Sequence, residues 1–371
     1  MSGDRDVVAT VALAEGAVAD RVFVGVENLD VPRTNVFGQR VALERLGDPS
    51  TLVGRLAESK ARGERVAVVA RAADLAAIRG ELARVAEARV AVVVHAIADG
   101  DASDVGLGPA FALADLPWGM LLGAGTGDAL DLGLIARRAA EDSSFPFFVV
   151  HPSARDWRLA PSREPAPPTA SLYDAFLGGP RPPGTQDVAG AGRGGFGERV
   201  PFALSSAVRE LDALGGRRHD VIERAPKSEC ALALVGVGAI GQLMLAEVDR
   251  LRAGGYDVGA VRVVAWRPFP AARLVRSLSR ALVMTVLEGP AHTASPNGPL
   301  ATHLKAAFAD ALTWAPDYPG IGTIPRIVSG HVASFRELDF RDAEAMVRNM
   351  MRHELGKRTF ILGGGPTSDL E

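Results

Sequence analysis

Short, continuously apolar runs alternate with segments of helical periodicity along this chain, and that alternation limits its possible folds more than any other feature. RVAVVAR (65–71), RVAVVVHAI (89–97) and FPFFVV (145–150) are valine- and phenylalanine-rich and show little polar alternation. Between them, DLAAIRGELARVAEA (74–88) and DALDLGLIARRAAED (128–142) repeat apolar residues at helical spacing. Asp128 and Asp131 fall near the start of the second helix, where they favour its dipole. Strands apolar on both faces and separated by helices belong to a parallel sheet covered on both sides. The pattern restarts after residue 200 with ALALV (231–235), a helix over 240–253 and VGAVRVVAW (258–266). A helix near 271–280, ALVMTVLEG (281–289), a helix over 300–312 and IPRIVS (324–329) complete it. The expected fold is α/β, with two doubly wound, mostly parallel sheets.

PSREPAPPT (161–169), GGPRPPGTQ (178–186) and AGAGRGGFG (189–197) separate the two blocks. Their Pro/Gly composition predicts a connection or long surface loop, with a helix over about 203–214 leading out of it. The expected division is a first domain over 1–160, a connecting segment over 161–202, a second domain over 203–360 and a mobile tail over 361–371.

A formal net charge of −3 without a Lys/Arg run gives no electrostatic support for a nucleic-acid or anionic-membrane partner. No apolar run approaches the ~20 residues that span a bilayer, and the N-terminus lacks the basic-then-apolar order of a signal peptide. The chain is therefore expected in the cytoplasm, without membrane insertion. Cys230 is the single cysteine, so no internal disulfide framework or cysteine-held cluster is expected. Its place at the start of a strand predicts a buried, inert thiol.

Gly236-Val-Gly238-Ala-Ile-Gly241 satisfies the spacing of a dinucleotide-binding turn. Such a turn also needs a carboxylate at the end of the next strand to accept the ribose hydroxyls. Here that strand runs into Trp266-Arg267-Pro268, and no acid is present. An NAD(P) site stays open on the glycines alone, beside a purely structural turn.

The seven histidines show no i, i+4 pair of the kind that holds a metal on one helix face, so no metal site is expected. His95 and His151 close predicted parallel strands, where ligands of α/β folds gather, and are candidates for a pocket or for the edge of the core. Asp99, Asp101 and Asp104 form a loop that is either solvated or cation-binding. Ser205-Ser206 resemble an N-cap pair. The Met-containing helix 341–356 is expected at the surface, packed on its domain or on a partner.

Residues 215–270 resemble the second domain of the 2-oxoacid:ferredoxin oxidoreductase family. The resemblance rests on Gly216-Arg217, Val235-Gly236, Gly254-Gly255, Val258-Gly259 and Arg267-Pro268-Phe269. It continues through Val286-Leu287-Glu288 and Gly298-Pro299-Leu300. The first half resembles the family's pyrimidine-binding domain through Val36-Phe37-Gly38-Gln39 and the segment 101–151. The resemblance implies an alpha-type subunit built of a pyrimidine-binding-like and a transketolase C-terminal-like domain. The implied reaction is thiamine-dependent oxidative decarboxylation of a 2-oxoacid such as pyruvate. Thiamine pyrophosphate with magnesium would lie at a subunit interface. Beta- and gamma-type subunits are the implied partners, with iron–sulfur clusters on partner chains and a ferredoxin-like subunit among the candidates.

The resemblance also implies three functional groups that this sequence does not match. The acid–base glutamate position falls on Pro49, beside Asp48, and the substrate-binding arginine position falls on Asp99. The family's threonine-bearing loop has no counterpart here beyond Thr34. A proline cannot exchange the proton, and a carboxylate in place of the arginine loses a charged hydrogen bond worth about 1.5–3 kcal/mol. Three readings follow: an active subunit of altered chemistry, a catalytically degenerate subunit (a pseudoenzyme) kept for its interfaces, or an NAD(P) oxidoreductase using Gly236–Gly241.

Overall fold

The structure, a computed structural model, describes residues 7–27, 29–98, 107–152, 168–179, 194–215, 218–289, 296–332, 338, 340–362 and 370. The first half contributes β1 (Arg21–Val24), β2 (Ala42–Arg45), β3 (Val66–Arg71), β4 (Val93–Ile97), β5 (Gly119–Leu122) and β6 (Phe147–His151). These six strands are parallel and lie in the order β2-β1-β3-β4-β6-β5. Their helices are α1 (Val7–Val18), α2 (Leu52–Ala61), α3 (Ala72–Ala77), α4 (Arg79–Glu87), α5 (Leu107–Phe111) and α6 (Thr126–Ser143). The predicted helix 74–88 is two helices, because the backbone leaves the helical region at Ile78 (φ −106°, ψ 26°).

Side-chain alternation assigns the two faces. Val68, Val94 and Phe148 pack towards α2–α5, while Val69, Val93, Phe147 and Val149 point to the other side. On that second face lie α1 and α6, joined by α7 (Ala170–Leu177) and α8 (Phe196–Gly215). The Pro/Gly-rich segment is therefore more than a loop: α7 buries Tyr173, Phe176 and Leu177. α8 starts before the expected residue 203 and buries Val200, Leu204 and Leu211 in the core of the first sheet. The apolar residues of YDAFL carry α7, and the flanking prolines and glycines conceal them in a composition average.

The second half contributes β7 (Ile222–Ala225), β8 (Leu232–Val237), α9 (Gly238–Ala253), β9 (Val258–Val263), β10 (Ala265–Arg267) and α10 (Ala271–Leu278). It continues with β11 (Val283–Glu288), α11 (Pro299–Leu312), β12 (Arg326–Val332), α12 (Phe340–Met351) and β13 (Thr359–Leu362). The second sheet has the order β13-β12-β11-β8-β9-β7, parallel except for β7. Both sheets are thus mostly parallel and helix-covered, as the alternation of apolar runs requires.

VGAVRVVAW is not one strand. β9 ends at Val263, and after Val264 the chain enters the first sheet as β10, antiparallel to β5. The second block thus supplies the edge strand of the first sheet, which covers an edge that would otherwise present unpaired N–H and C=O groups. Trp266, 1 % exposed, anchors the crossing against Phe111 at 4.7 Å.

In α12 Met346 and Met350 are buried and Met351 is exposed, so the helix packs on its own domain along one face. Cys230 is half-buried two residues ahead of β8, not within the core. Burial and the nearby Asp257 raise its thiol pKa, keeping it protonated. None of the described helices is long and apolar enough to cross a membrane.

Candidate functional site

β8 runs into α9 with no intervening residue, so the chain must turn at Gly238, which adopts a left-handed φ of +48°. The space in front of this turn is filled by protein. A Cβ on Gly238 would lie 3.1 Å from the Gly123 carbonyl oxygen, which belongs to the turn between β5 and α6. A Cβ on Gly241 would lie 2.7 Å from Arg262 Cγ and 2.8 Å from the Gly236 carbonyl oxygen. The glycines thus serve close helix–strand packing and let the first domain dock onto the α9 N-terminus. A pyrophosphate would need the same space.

Arg262, opposite Gly236 in β9, fixes this junction and is 2 % exposed. Its guanidinium donates to Glu223 Oε2 (3.0 Å), Gln242 Oε1 (3.1 Å) and the Leu122 carbonyl (3.2 Å), and pairs with Asp128. Burial alone would lower its pKa, but Asp128 and Glu223 outweigh burial and raise it. Asp128 also accepts from the Ala124 N–H at 2.6 Å, tying the first turn of α6 to the same cluster. At this same C-terminal end of β9, where a ribose-binding acid would stand, Val263 and Val264 are buried. A titration with NADH is expected to give no saturable fluorescence change. Saturable binding abolished by Gly238→Val would overturn the structural reading of this turn.

A second buried cluster lies on the seam between β4 and β6. The chain leaves β4 for α5 on one face and reaches α7 and α8 on the other after β6, which makes the seam a topological switch point. His95 and His151 sit on it, both fully buried, with His95 Nδ1 2.9 Å from His151 Nε2. His95 Nε2 lies 2.7 Å from Glu15 Oε1 of α1, and the other Glu15 oxygen pairs with Arg137 of α6. A Cβ at Gly133 would come within 3.2 Å of the His95 ring, so glycine makes the room for it.

The relay's chemistry follows from its ends. Burial pushes the Glu15 pKa up, but Arg137 and His95 outweigh it and hold the carboxyl below its usual range. The carboxylate can only accept, so His95 carries a proton on Nε2; in the neutral pair its Nδ1 accepts the His151 Nε2–H. Burial, and then His95, keep the His151 pKa well below 6.5. His151 Nδ1 has no hydrogen-bond partner among the described residues. The cluster ties α1, β4, β6 and α6 together and presents no accessible donor or acceptor.

This arrangement predicts an acid-sensitive fold. The folded-state pKa of His151 lies below the unfolded value of 6.5, so below that pH the unfolded chain takes up a proton that the folded chain refuses. Stability attributable to this group falls with decreasing pH by about 1.4 kcal/mol per unit. Urea unfolding between pH 6.5 and 5.5 is expected to show a steeper loss for the native chain than for His151→Gln. Parallel slopes would exclude His151 as the cause.

The other sequence candidates are not gathered at this seam. Asp48 and Pro49 follow β2, at the far edge of the sheet, where Pro49 opens a single turn of 3₁₀ helix. Asp48 is exposed and caps that turn by accepting the Ser50 N–H at 2.9 Å, which lowers its pKa. Thr34 is exposed, in a lone bridge with Arg40. Asp99, Asp101 and Asp104 lie outside the described residues, as does the Gly216-Arg217 pair. Among the described residues no group of three or more His, Cys, Asp or Glu could hold a metal ion. Pro49 and the capped, exposed Asp48 do not fit an acid–base partner for a thiamine aminopyrimidine.

Sequence reasoning missed Glu15, Arg137 and Arg262. A usable signal is present: Glu15 is the one charged residue of α1 (VVATVALAEGAV), and Arg262 is the one charge of β9 (VGAVRV). A single charge in an apolar element must find a buried partner.

The two mostly parallel, helix-covered sheets make an α/β fold of the kind seen in oxidoreductase and transketolase-type structures. Among the solved structures that share the fold are two from different enzymes. One is a 2-oxoglutarate:ferredoxin oxidoreductase from Magnetococcus marinus (14% identity, TM-score 0.56, 88% of this chain and 62% of that chain). The other is a split-gene transketolase described as an inactive beta4 tetramer (13% identity, TM-score 0.54, 90% and 92%). In sequence, residues 231–324 match the family model described as pyruvate:ferredoxin oxidoreductase core domain II. The pyruvate synthase subunit PorA of Methanothermobacter thermautotrophicus is 29% identical over 113 residues, 30% of this chain and 29% of that protein. PorA of Pyrococcus furiosus is 28% identical over 91 residues, 24% and 23% respectively. These sequence matches span less than a third of those two relatives. Over residues 231–324 the chain is therefore similar to core domain II of the 2-oxoacid:ferredoxin oxidoreductase family.

Proposed function

We propose that this chain is the alpha-type subunit of a 2-oxoacid:acceptor oxidoreductase complex, contributing architecture and interfaces more than catalytic groups. The core-domain-II match over 231–324, in a chain whose first half folds as a second doubly wound unit, carries the reading. In this reading the complex performs thiamine-dependent oxidative decarboxylation, with beta- and gamma-type chains holding the iron–sulfur clusters. A ferredoxin-like chain accepts the electrons. Thiamine pyrophosphate and magnesium belong at an interface whose acid–base group comes from another chain, because Pro49 and Asp48 cannot supply it. That same mismatch favours the catalytically silent form of the subunit over an active one of altered substrate. The NAD(P) reading is set aside because the Gly123 carbonyl lies against Gly238 in front of the turn and the next strand ends without a ribose-binding acid.

Affinity capture of the full-length chain from its native host tests this. Beta- and gamma-like chains in fixed stoichiometry are the expected companions, and the captured complex is expected to reduce an acceptor when given a 2-oxoacid. Recovery of the chain alone under every growth condition contradicts the proposal.

A further inference from the structure

A cleft of about 840 Å³ opens beside β7, sharing Glu223 with the Arg262 cluster and bounded by the end of α8, the loops flanking β7, and α10. Its charges are unevenly compensated. Three lining carboxylates pair with a cation: Asp220 with Arg273, Glu229 with Arg280, and Glu223 with Arg262, which it shares with Asp128; Asp212 accepts the His219 backbone N–H. Four lining cations, Arg218, Arg224, Lys227 and Arg276, are exposed and have no carboxylate partner among the described residues. The Arg224 guanidinium donates to the Lys227 carbonyl, which brings those two residues together.

The lining holds five cations, Arg273 included, against four carboxylates, and this excess of positive charge in one concavity makes a field that favours anions, focused by low-dielectric walls. The volume lies within the range of about 300–1,000 Å³ usual for small-molecule sites. Ile222 is the only aliphatic hydrophobic side chain in the lining, so recognition here rests on charge and hydrogen bonding rather than apolar burial. Guanidinium groups match the oxygens of phosphate in forked geometry, and a lysine adds a point charge. We propose that this cleft binds a small molecule carrying two or more phosphate groups, held by Arg218, Arg224, Lys227 and Arg276.

The proposal does not depend on the oxidoreductase reading, because the cleft is complete within this chain. Inorganic pyrophosphate and ADP, titrated into the full-length protein at low salt, are the probes. Saturable binding with a Kd below about 1 mM is expected, weakening as salt rises. Lys227→Ala with Arg276→Ala should weaken it by about tenfold or more. Both side chains are exposed and make no ion pair among the described residues, so the thermal midpoint should not move, and an unchanged midpoint makes the comparison valid. Absence of saturable binding, equal affinity in the double variant, or binding of an acidic peptide but not of pyrophosphate overturns the proposal.

Discussion

Glu15→Gln is expected to destabilise the chain by about 3–5 kcal/mol, the usual cost of stranding one partner of a buried ion pair. The substitution keeps the shape and can still hydrogen-bond to His95, so the loss isolates charge. Glu15 and Arg137 are each 2 % exposed, so neither charge recovers solvation from water. Adding Arg137→Met should return much of the loss, because the double variant leaves no uncompensated charge in the core. A cycle of the two single variants and the double, followed by urea unfolding, measures this coupling. Additive effects would mean that the two side chains do not act as a pair.

The second large effect is expected at the junction of the two sheets. Arg262→Met removes the cation that Asp128 of α6 and Glu223 of β7 share, and it frees the Leu122 carbonyl. Both carboxylates keep some access to water, at 19 % and 29 % exposed, so the expected loss is about 3 kcal/mol, the lower end for a broken buried pair. Arg262→Lys should recover only part of it, since an ammonium cannot reproduce the forked contacts. A loss below about 0.5 kcal/mol, the scale of ordinary surface substitutions, would remove Arg262 from its place at the junction.

The two sheets could be read from the sequence because their signal is local. β3, β4, β6, β8, β9 and β11 are predominantly apolar runs, and helical periodicity needs only a dozen neighbouring residues to declare itself. What escaped depends on distant pairing. Glu15 meets Arg137 across 122 positions, and Arg262 meets Asp128 across 134. The passage of VGAVRVVAW between sheets was equally hidden, since both pieces are apolar and only the register with β5 separates them. The glycine turn shows the same limit from the other side. Its spacing is complete in sequence, but whether a nucleotide or Gly123 occupies the space before it is decided by a segment more than a hundred residues earlier.

The central claim is that the first domain supplies no acid–base carboxylate to the proposed complex, and one kinetic measurement tests it directly. A positioned general acid or base contributes about 10²–10⁴ to the rate. With the complex assembled from this chain and its partner subunits, kcat for 2-oxoacid-dependent reduction of the acceptor is compared between the native subunit and Asp48→Ala. An unchanged kcat is the predicted result, because the Asp48 carboxylate caps a surface turn through the Ser50 N–H. A fall of about a hundredfold or more, with the assembly intact, would contradict the account and restore Asp48 to the catalytic machinery.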